Sequence, residues 1–333
     1  MKMKKIPHGK FSRSKTQIAQ TAQRRPRVKL LLGFDLGGTK LASAVTTYEG
    51  RVLAQFIEPV DFSSGPSGFL SFLENRARYW LNLYPEITAL GIASCGPLDS
   101  KNGRLLQPTN FPRWGTISIA RPLKARLKMP VAIQNDAAAV AAAEGWVGGA
   151  KKLKNWAVLT FGTGLGTGII MDRNIFMGGS GQGPEVGHMI VSDQPYLCGC
   201  GNYGCAEAVL SGTALKRRIR ERSLPVDSPH GLVDIARSSK AFAHDDAQEI
   251  FKEFAHILAR TVHNIAVMYK PKKIFIAGGL GSAHDLYLGA AQKEIGVLLK
   301  SRKGFTPKLV VSALGETAGV LGGAWVARFM GDL

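Results

Sequence analysis

The sequence predicts an α/β protein made of two domains of related topology with a cleft between them. Its 333 residues exceed one average domain and suit two. Apolar runs typical of strands alternate with helical patterns, which is the order expected of an α/β protein. A strand, a glycine turn and a second strand also occur twice, with Phe34 and Phe161 in register 127 positions apart. A repeat at that distance favours two similar domains over a solenoid.

The first half of the chain contains one predicted hairpin and several further elements. The hairpin begins near Val28 and reads VKLLLGFDLGGTKLASAVTTYEGRVL. A helix is expected around Gly68 to Tyr84, followed by a buried strand over ITALGIASCG and an irregular segment, LQPTNFPRWG. A further strand, PVAIQN, leads into the alanine-rich helix DAAAVAAAEGW.

The second half repeats the hairpin pattern over WAVLTFGTGLGTGIIMDRNIFM, residues 156–177. The stretch EAVLSGTALKRRIRER predicts a helix, whereas residues 222–246 are polar and the pattern assigns them no element. A long helix that Pro271 ends is expected next, because apolar residues recur at helical spacing. These residues are Ile250, Phe251, Phe254, Ile257, Leu258, Val262, Ile265 and Met268. The segment KIFIAGGLGSA predicts a strand, a Gly-Gly turn and a helix start, and GVLGGAWVARFM predicts the final helix.

The net charge of +19 is concentrated at the N-terminus. Residues 1–29 contain ten Lys or Arg and no acid, which leaves +9 for the other 304 residues. We expect residues 1–28 to form a disordered, solvated arm rather than a nucleic-acid-binding element. Residues 29–134 then form an N-terminal α/β domain, completed by the C-terminal helix 318–333, and residues 135–317 form the second α/β domain.

The composition is that of a soluble globular protein. Hydrophobic residues make up 45% of the chain, and no apolar run approaches the roughly 18 residues that cross a bilayer. The first 28 positions are basic and polar, and the apolar VKLLLGF that follows is too short for the core of a secretory signal. We therefore expect a cytoplasmic protein without a membrane partner.

Three glycine turns are candidate phosphate-binding loops, since glycine lets a backbone fold tightly and aim N–H groups at phosphate oxygens. They are Asp35-Leu36-Gly37-Gly38-Thr39-Lys40, Gly162-Thr163-Gly164-Leu165-Gly166-Thr167, and the pair Gly278 and Gly279. The first two lack the P-loop pattern and open no helix. Taken alone, each is better explained as a hairpin turn. Two in register with a third favour a nucleotide held between two domains.

Acidic residues follow two predicted strands, and each allows two interpretations. Asp35 could hold Mg²⁺ through water, or it could bond the backbone of its own turn. The pair Asn135 and Asp136 ends a strand and begins a helix. Asp136 is either the N-cap of that helix or a carboxylate at the ligand crevice of an open α/β domain. In the second case it would orient a hydroxyl and accept its proton during phosphoryl transfer.

The segment CGCGNYGC holds three of the four cysteines of the chain, Cys198, Cys200 and Cys205. His188 lies ten residues before Cys198. Three thiolates and one imidazole make a closed tetrahedral zinc site, which serves structure rather than catalysis. The single residue between Cys198 and Cys200 is a tighter gap than usual. Disulfides are the alternative, but a reducing compartment disfavours them and a Cys198 to Cys200 bridge would be strained. The fourth cysteine, Cys95, is expected to be a small buried residue.

In this order, the motifs LGFDLGGTK, QNDAAA, TFGTGLGTG, EVGH, CGCGNYGCAE and IAGG resemble the ROK family (repressors, open reading frames, sugar kinases) of the actin-like ATPase superfamily. The likeness runs from about Leu30 to the C-terminus. It implies two ribonuclease H-like domains with an interdomain cleft that binds ATP with Mg²⁺ and a hexose. It also implies a kinase acting on the terminal hydroxyl, with glucose favoured and fructose or an N-acetylhexosamine as alternatives. We further expect a homodimer.

The resemblance also implies roles for individual residues. Asp136 is similar to the catalytic base of the family and Asn135 to its sugar-binding neighbour, and Pro184 departs from the small residue that usually precedes Glu185. The other positions similar to sugar-binding residues are Asn110, Glu185, His188 and Glu207. The positions similar to those that hold ATP and Mg²⁺ are Asp35, Gly37, Gly38, Thr39, Lys40, Gly162, Thr163, Gly164, Gly278 and Gly279.

The zinc motif gains a functional role from this resemblance. If one nitrogen of His188 binds zinc, its ring direction is fixed and the other nitrogen can point at a sugar hydroxyl. Glu207 lies two residues past Cys205, so the same ion would steady it. A sugar-responsive repressor is the alternative from another class. Such family members carry an N-terminal winged helix, for which the 28 residues before the first strand are too few.

Overall fold

The computed structural model describes residues 29–108, 111–179, 181–302 and 304–330, so the predicted basic arm and Asn110 lie outside the described residues. The strands in chain order are β1 (Leu30–Leu36), β2 (Lys40–Thr47), β3 (Val52–Pro59), β4 (Ile87–Ser94), β5 (Leu98–Asp99), β6 (Arg104–Leu106), β7 (Thr116–Ser118), β8 (Val131–Asn135), β9 (Trp156–Phe161), β10 (Leu165–Met171), β11 (Asn174–Ile175), β12 (Lys273–Gly278) and β13 (Lys308–Val311).

The helices in chain order are α1 (Gly65–Leu83), α2 (Ala120–Leu127), α3 (Asp136–Trp146), α4 (Glu207–Leu210), α5 (Gly212–Glu221), α6 (Pro229–Arg237), α7 (His244–Tyr269), α8 (Leu288–Leu298) and α9 (Ala318–Met330). Three 3₁₀ segments cover Val186–His188, Gly279–Leu286 and Gly315–Thr317. Within the described part of the chain, no helix is both long and apolar enough to cross a membrane.

Two five-stranded sheets share one topology, which matches the repeat expected from the sequence. The first has the order β3-β2-β1-β4-β8 and the second the order β11-β10-β9-β12-β13. In each sheet order as written, the first three strands pair antiparallel with one another. The last two strands run parallel to the central strand, β1 or β9. β1 ends at Leu36 and β9 at Phe161, so the structural repeat is offset by two residues from the Phe34 and Phe161 match.

The outer faces of both sheets are covered by amphipathic helices. On the first sheet, α1 buries Phe69, Leu73 and Trp80, and the Trp80 indole N–H donates to Ser43 Oγ of β2 at 2.9 Å. On the second sheet, α7 buries its apolar stripe against the residues of β9 and β12. This burial of apolar stripes is the main favourable term for each half of the molecule.

On the inner faces of the sheets, the strand backbones directly contact the backbones of α9 and α3. This is possible because the strand residues at the contacts are glycines, where a side chain would clash. A Cβ on Gly33 of β1 would lie 2.2 Å from the Val320 carbonyl oxygen of α9. A Cβ on Gly168 of β10 would lie 2.3 Å from the Ala137 carbonyl oxygen of α3. The two helices also contact each other, where Gly322 packs on Ala139. Helices α3 and α9 therefore form a shared layer between the two sheets.

Several elements differ from the sequence prediction. The stretch predicted as one helix after the cysteines is two, α4 and α5, because Ser211 is extended and caps α5 by accepting from the Ala214 N–H at 3.0 Å. The unassigned polar segment contains α6, which Ser228 caps. The helix start predicted after Gly278 is a 3₁₀ segment rather than an α-helix. The expected irregular segment near residue 110 is flanked by the small sheet β5-β6-β7.

The glycine contact between the first sheet and α9 predicts a large effect of one added methyl group. A Cβ on Gly91 of β4 would lie 2.1 Å from both the Ala327 nitrogen and the Gly323 carbonyl oxygen, and backbone atoms cannot move aside cheaply. We expect Gly91→Ala to lower the free energy of unfolding by about 3 kcal/mol, measured by urea denaturation. Gly296→Ala in α8 is the control, since open space surrounds that position. It should raise stability by about 0.5 to 1 kcal/mol, and equal effects of both variants would contradict the packing argument.

Candidate active site

A cleft lies between the two sheets and encloses about 420 Å³, counting the space open to solvent. One wall comes from the ends of β4 and β8, and the other from β10 and the loop that follows β11. The lining residues are those at 96–98, Gln134, Asn135, Gly166, Thr167, Met177 and those at 182–185.

Asn135 lines this cleft at the end of β8, and Asp136 follows it as the first residue of α3. The N-cap of α3 is Asn135, whose Oδ1 accepts from the Ala138 N–H at 3.1 Å, so the N-cap interpretation of Asp136 is wrong. Asp136 is the first residue of the helix, and its Oδ1 accepts from the Ala137 N–H at 2.7 Å. Burial raises the pKa of Asp136 above its ordinary value, against the effect of this hydrogen bond. A carboxylate with a raised pKa is a stronger proton acceptor once it is ionised.

Asp35 lies one residue before the end of β1 and faces Asp136. Burial, and then the charge of Asp136, raise the pKa of Asp35 to about 6, while Lys40 opposes the shift. A Cβ on Gly319, in the first turn of α9, would lie 2.1 Å from Asp35 Oδ2. The Asp35 carboxylate therefore rests on the N-terminal end of α9, whose dipole favours negative charge. Two carboxylates this close also make a site for a cation.

The three glycine turns lie at the ends of central strands. The turn at residues 37–39 closes on itself through the Gly37 N–H and the Lys40 carbonyl at 3.0 Å, and the turn at 162–164 through the Gly162 N–H and the Gly164 carbonyl at 3.0 Å. Gly278 pairs with Phe161 across β12 and β9, so the third turn adjoins the second.

Gly278 is a position that only glycine fits. Its φ is +86°, and a Cβ there would lie 2.4 Å from the Phe161 carbonyl oxygen. Gly279, by contrast, meets open space. The Gly278 and Gly279 turn can therefore approach the second turn at backbone distance while leaving room for a ligand in front of it.

The second turn is also held from outside by residues that the sequence analysis did not single out. The Gly212 N–H donates to the Gly162 carbonyl at 2.9 Å, and the Thr213 hydroxyl donates to the Thr163 carbonyl at 2.9 Å. These two carbonyls point away from the cleft side of the turn, toward α5. No pattern in the sequence connects positions 50 residues apart in this way, which is why the contact escapes prediction.

Glu185 lies close enough to His188, Glu207 and Asp136 for their charges to act on it. Desolvation, followed by the charges of Asp136 and Glu207, raises the pKa of Glu185, and His188 lowers it. Glu207 is the first residue of α4, and its Oε2 accepts from the Leu165 N–H at 2.9 Å. Pro184 precedes Glu185 in the cleft lining without removing it from the cleft. Asn110, the remaining predicted sugar-binding residue, lies outside the described residues.

The four predicted zinc ligands come together in one cluster. The ligand atoms of His188, Cys198, Cys200 and Cys205 all lie within 4.8 Å of one another. His188 Nδ1 is 3.6 Å from Cys198 Sγ, and Cys200 Sγ is 3.7 Å from Cys205 Sγ. A tetrahedral zinc site with ordinary bond lengths has ligand separations of about 3.6 to 3.8 Å, so the donors fit the ion. Cys198, Cys200 and Cys205 form no disulfide with one another, which argues against the disulfide alternative.

The cluster is joined to the second glycine turn through one carboxylate. Glu207 Oε1 accepts from Cys198 Sγ at 3.6 Å, while its Oε2 holds the Leu165 N–H next to the second glycine turn. A Cβ on Gly164 would lie 2.4 Å from the same Oε2. Glu207 therefore contacts the thiol cluster and the glycine turn at once.

The comparisons with known proteins agree with this architecture. The model of the ROK family matches residues 31–329. A glucokinase of Thermotoga maritima is 30% identical, over 91% of this chain and 98% of its own length. A xylose repressor of Bacillus spizizenii is 26% identical, over 87% of this chain and 75% of its own length.

Among solved structures, a ROK family glucokinase of Streptomyces griseus in complex with glucose and AMPPNP superposes with a TM-score of 0.76 at 27% identity. The match covers 90% of this chain and 99% of that one. The fold class expected from the sequence, two ribonuclease H-like domains of the actin-like ATPase type around a cleft, is thereby confirmed. Since the family match spans both sheets and the cleft, the chain belongs to the ROK family.

Proposed function

We propose that this protein is an ATP-dependent hexose kinase that phosphorylates the terminal hydroxyl of glucose. The observation that carries the proposal is Asp136, a half-buried carboxylate next to Asn135 of the cleft lining. It acts electrostatically on Asp35, beside the first glycine turn, and on Glu185, among the predicted sugar-binding residues. Phosphoryl transfer to an alcohol requires a proton acceptor placed between the bound phosphates and the attacking hydroxyl group. The similar Streptomyces griseus glucokinase, solved with glucose and AMPPNP, supports it.

The charge of the cleft favours a neutral polyhydroxy acceptor. Among the described residues, the lining includes Glu185 and no Lys or Arg. Asp136 and Glu207 add negative charge beside it, as the raised pKa of Glu185 reflects. A sugar phosphate or a sugar acid would be repelled here, whereas carboxylates accept hydrogen bonds from neutral hydroxyl groups.

In the proposed reaction, Asp136 orients the terminal hydroxyl of the sugar for in-line attack on the γ-phosphorus of ATP. The new bond joins the sugar oxygen to phosphorus, the bond from phosphorus to the β-γ bridging oxygen breaks, and ADP leaves. The hydroxyl proton passes to Asp136. Since the transition state is loose, positioning and charge stabilisation supply most of the rate, and a carboxylate suffices as the base.

Magnesium fits beside Asp35. A hard cation prefers oxygen ligands, and it would offset the burial of Asp35 and the repulsion from Asp136, which in that order raise the pKa of Asp35. When bound with ATP, Mg²⁺ neutralises charge on the phosphates. The glycine turns at 37–39, 162–164 and 278–279 would hold the nucleotide through backbone N–H groups.

Zinc in the thiol cluster is the structural part of the proposal. His188 Nδ1 faces the thiols, which leaves Nε2 to bond a sugar hydroxyl in the tautomer that the metal imposes. The ion would shape the sugar side of the cleft and would take no part in the transfer. Assembly as a homodimer and a cytoplasmic location remain predictions.

A panel of sugars tests the acceptor directly. We expect MgATP consumption in a coupled ADP assay with glucose, and a lower kcat/KM with fructose, N-acetylglucosamine and N-acetylmannosamine. Preference for an N-acetylated hexosamine would keep the kinase and change the substrate. No turnover with any sugar, together with sugar-dependent DNA binding, would favour the alternative of a repressor.

Asp136→Asn tests the catalytic base, because the amide keeps the shape of the carboxylate but cannot accept the proton. We expect kcat to fall about 10³-fold while glucose affinity, measured by calorimetry, changes little. Asp172→Asn is the matched control, since Asp172 lies in an exposed turn with a φ of 46°, which Asn tolerates. A kcat near the wild-type value in the Asp136 variant would remove this residue from its role.

Asp35→Asn tests the proposed cation site through stability. Folding raises the pKa of Asp35 from 3.8 to about 6, so its penalty is absent below pH 4 and complete above pH 6. Without ATP and Mg²⁺, the variant should be more stable than wild type by up to about 3 kcal/mol at pH 7.5 and by less at pH 5, in urea denaturation. Its activity should nevertheless be strongly reduced. A stability difference that does not grow with pH would contradict this account.

Cys200→Ser tests whether the thiol cluster binds zinc. Cys200 is chosen because its thiol is exposed, whereas Cys198 and Cys205 are buried, so its replacement disturbs packing least. Metal analysis of wild type should find about one zinc per chain, and the variant should lose it. We expect the KM for glucose to rise at least about tenfold, because His188 and Glu207 lose their support. Cys95→Ser should keep the metal. Metal-free protein with unchanged sugar affinity would refute the coupling.

A further inference from the structure

Thr167 is a buried polar residue of the cleft that has no assigned role. It lies in the middle of β10, and 7% of its surface is exposed. Its Oγ1 has no hydrogen-bond partner among the described residues. A buried hydroxyl without a partner destabilises a protein, so such groups are rare unless a ligand or water completes them.

The direction of Thr167 follows from its neighbours in the strand. Side chains alternate between the faces of a strand, and both Gly166 and Gly168 face α3 at Ala137. Thr167 therefore points to the opposite face, which packs against the 3₁₀ segment Val186–His188 that follows Glu185. It lines the cleft together with Asn135 and Glu185.

Two polar side chains of the opposite wall, which β8 supplies, are already partly engaged. Gln134 Oε1 accepts from the Asn135 N–H at 2.7 Å, and Asn135 Oδ1 accepts from the Ala138 N–H. The Thr167 hydroxyl, in contrast, has its whole hydrogen-bonding capacity left. A hydroxyl can both donate and accept, which matches the hydroxyl of a sugar.

We infer that Thr167 is a specificity residue whose Oγ1 hydrogen-bonds one ring hydroxyl of the acceptor sugar, so that hexoses lacking this hydroxyl are disfavoured. The inference rests on the proposed function and deepens it. The bond would be made in the ground state and the transition state alike, so its loss should raise KM and leave kcat nearly unchanged.

Thr46 offers a matched comparison within the chain. It is also a fully buried strand threonine with an unpartnered Oγ1, but it lies in β2, away from the cleft lining. If both hydroxyls were merely structural defects, replacing either with the isosteric valine would have the same consequence, a gain in stability alone.

The experiment compares Thr167→Val, Thr167→Ser and Thr46→Val by melting temperature and by kinetics with glucose and its 2-, 3- and 4-deoxy analogues. We expect both valine variants to keep or raise the melting temperature. Thr167→Val should raise the KM for glucose about fivefold, as for one lost hydrogen bond, whereas Thr46→Val should not. For one deoxy sugar, Thr167→Val and wild type should have equal KM values, which would identify the hydroxyl. Thr167→Ser should restore most of the affinity for glucose.

Two results would overturn the inference. One is an unchanged KM for glucose in Thr167→Val, and the other is the same KM ratio to wild type for glucose and every deoxy analogue. If wild type phosphorylates none of the sugars, the proposed function itself fails and this inference falls with it. If wild type is active and the KM values are insensitive to Thr167, only the inference fails.

Discussion

The close contact between α3 and α9 is the constraint on which the site depends. Both helices lie on sheet backbones through glycine, and they contact each other where Gly322 packs on Ala139. Helix α3 begins with Asp136, next to Asn135 of the cleft lining, and the first turn of α9 contacts the Asp35 carboxylate. A larger residue in this layer would therefore do more than destabilise the core. It would also separate the two carboxylates that the proposed phosphoryl transfer requires close together.

The same arrangement explains why the cleft tolerates converging negative charge. Asp35 lies at the N-terminal end of α9 and Asp136 in the first turn of α3, where helix dipoles and free N–H groups favour carboxylates. The compensation is partial, because burial and then the charge of Asp136 still raise the pKa of Asp35, and burial together with the charges of Asp136 and Glu207 raises the pKa of Glu185. The remaining repulsion is what a cation and the hydroxyl groups of a neutral sugar would relieve. Ligands that relieve this repulsion would therefore also stabilise the folded protein.

Features that depend on local chemistry could be predicted from the sequence. The internal repeat follows from one strand-turn-strand pattern that occurs twice. The junction at Asn135 and Asp136 and the cluster of three thiols with His188 follow from residue types at short spacing. Others could not be, because tertiary contacts decide them. The break at Ser211 is determined by the contact of Gly212 with Gly162, and the orphan hydroxyl of Thr167 is defined only by what surrounds it. Helix α6 was missed although Ser228 and Pro229 form a recognisable helix start.

Glu207 connects the proposed zinc site to the second glycine turn as well as to the proposed sugar site. One carboxylate oxygen meets Cys198 and the other holds the Leu165 N–H at the end of the second glycine turn, whose other side is held by Gly212 and Thr213. The turn is thus fixed between the cysteine segment and α5. In the proposed function a sugar hydroxyl would bond the same Glu207 carboxylate that accepts from the Leu165 N–H, so sugar binding and the conformation of the second glycine turn would share one group. Such sharing couples two ligands without any large movement of the domains.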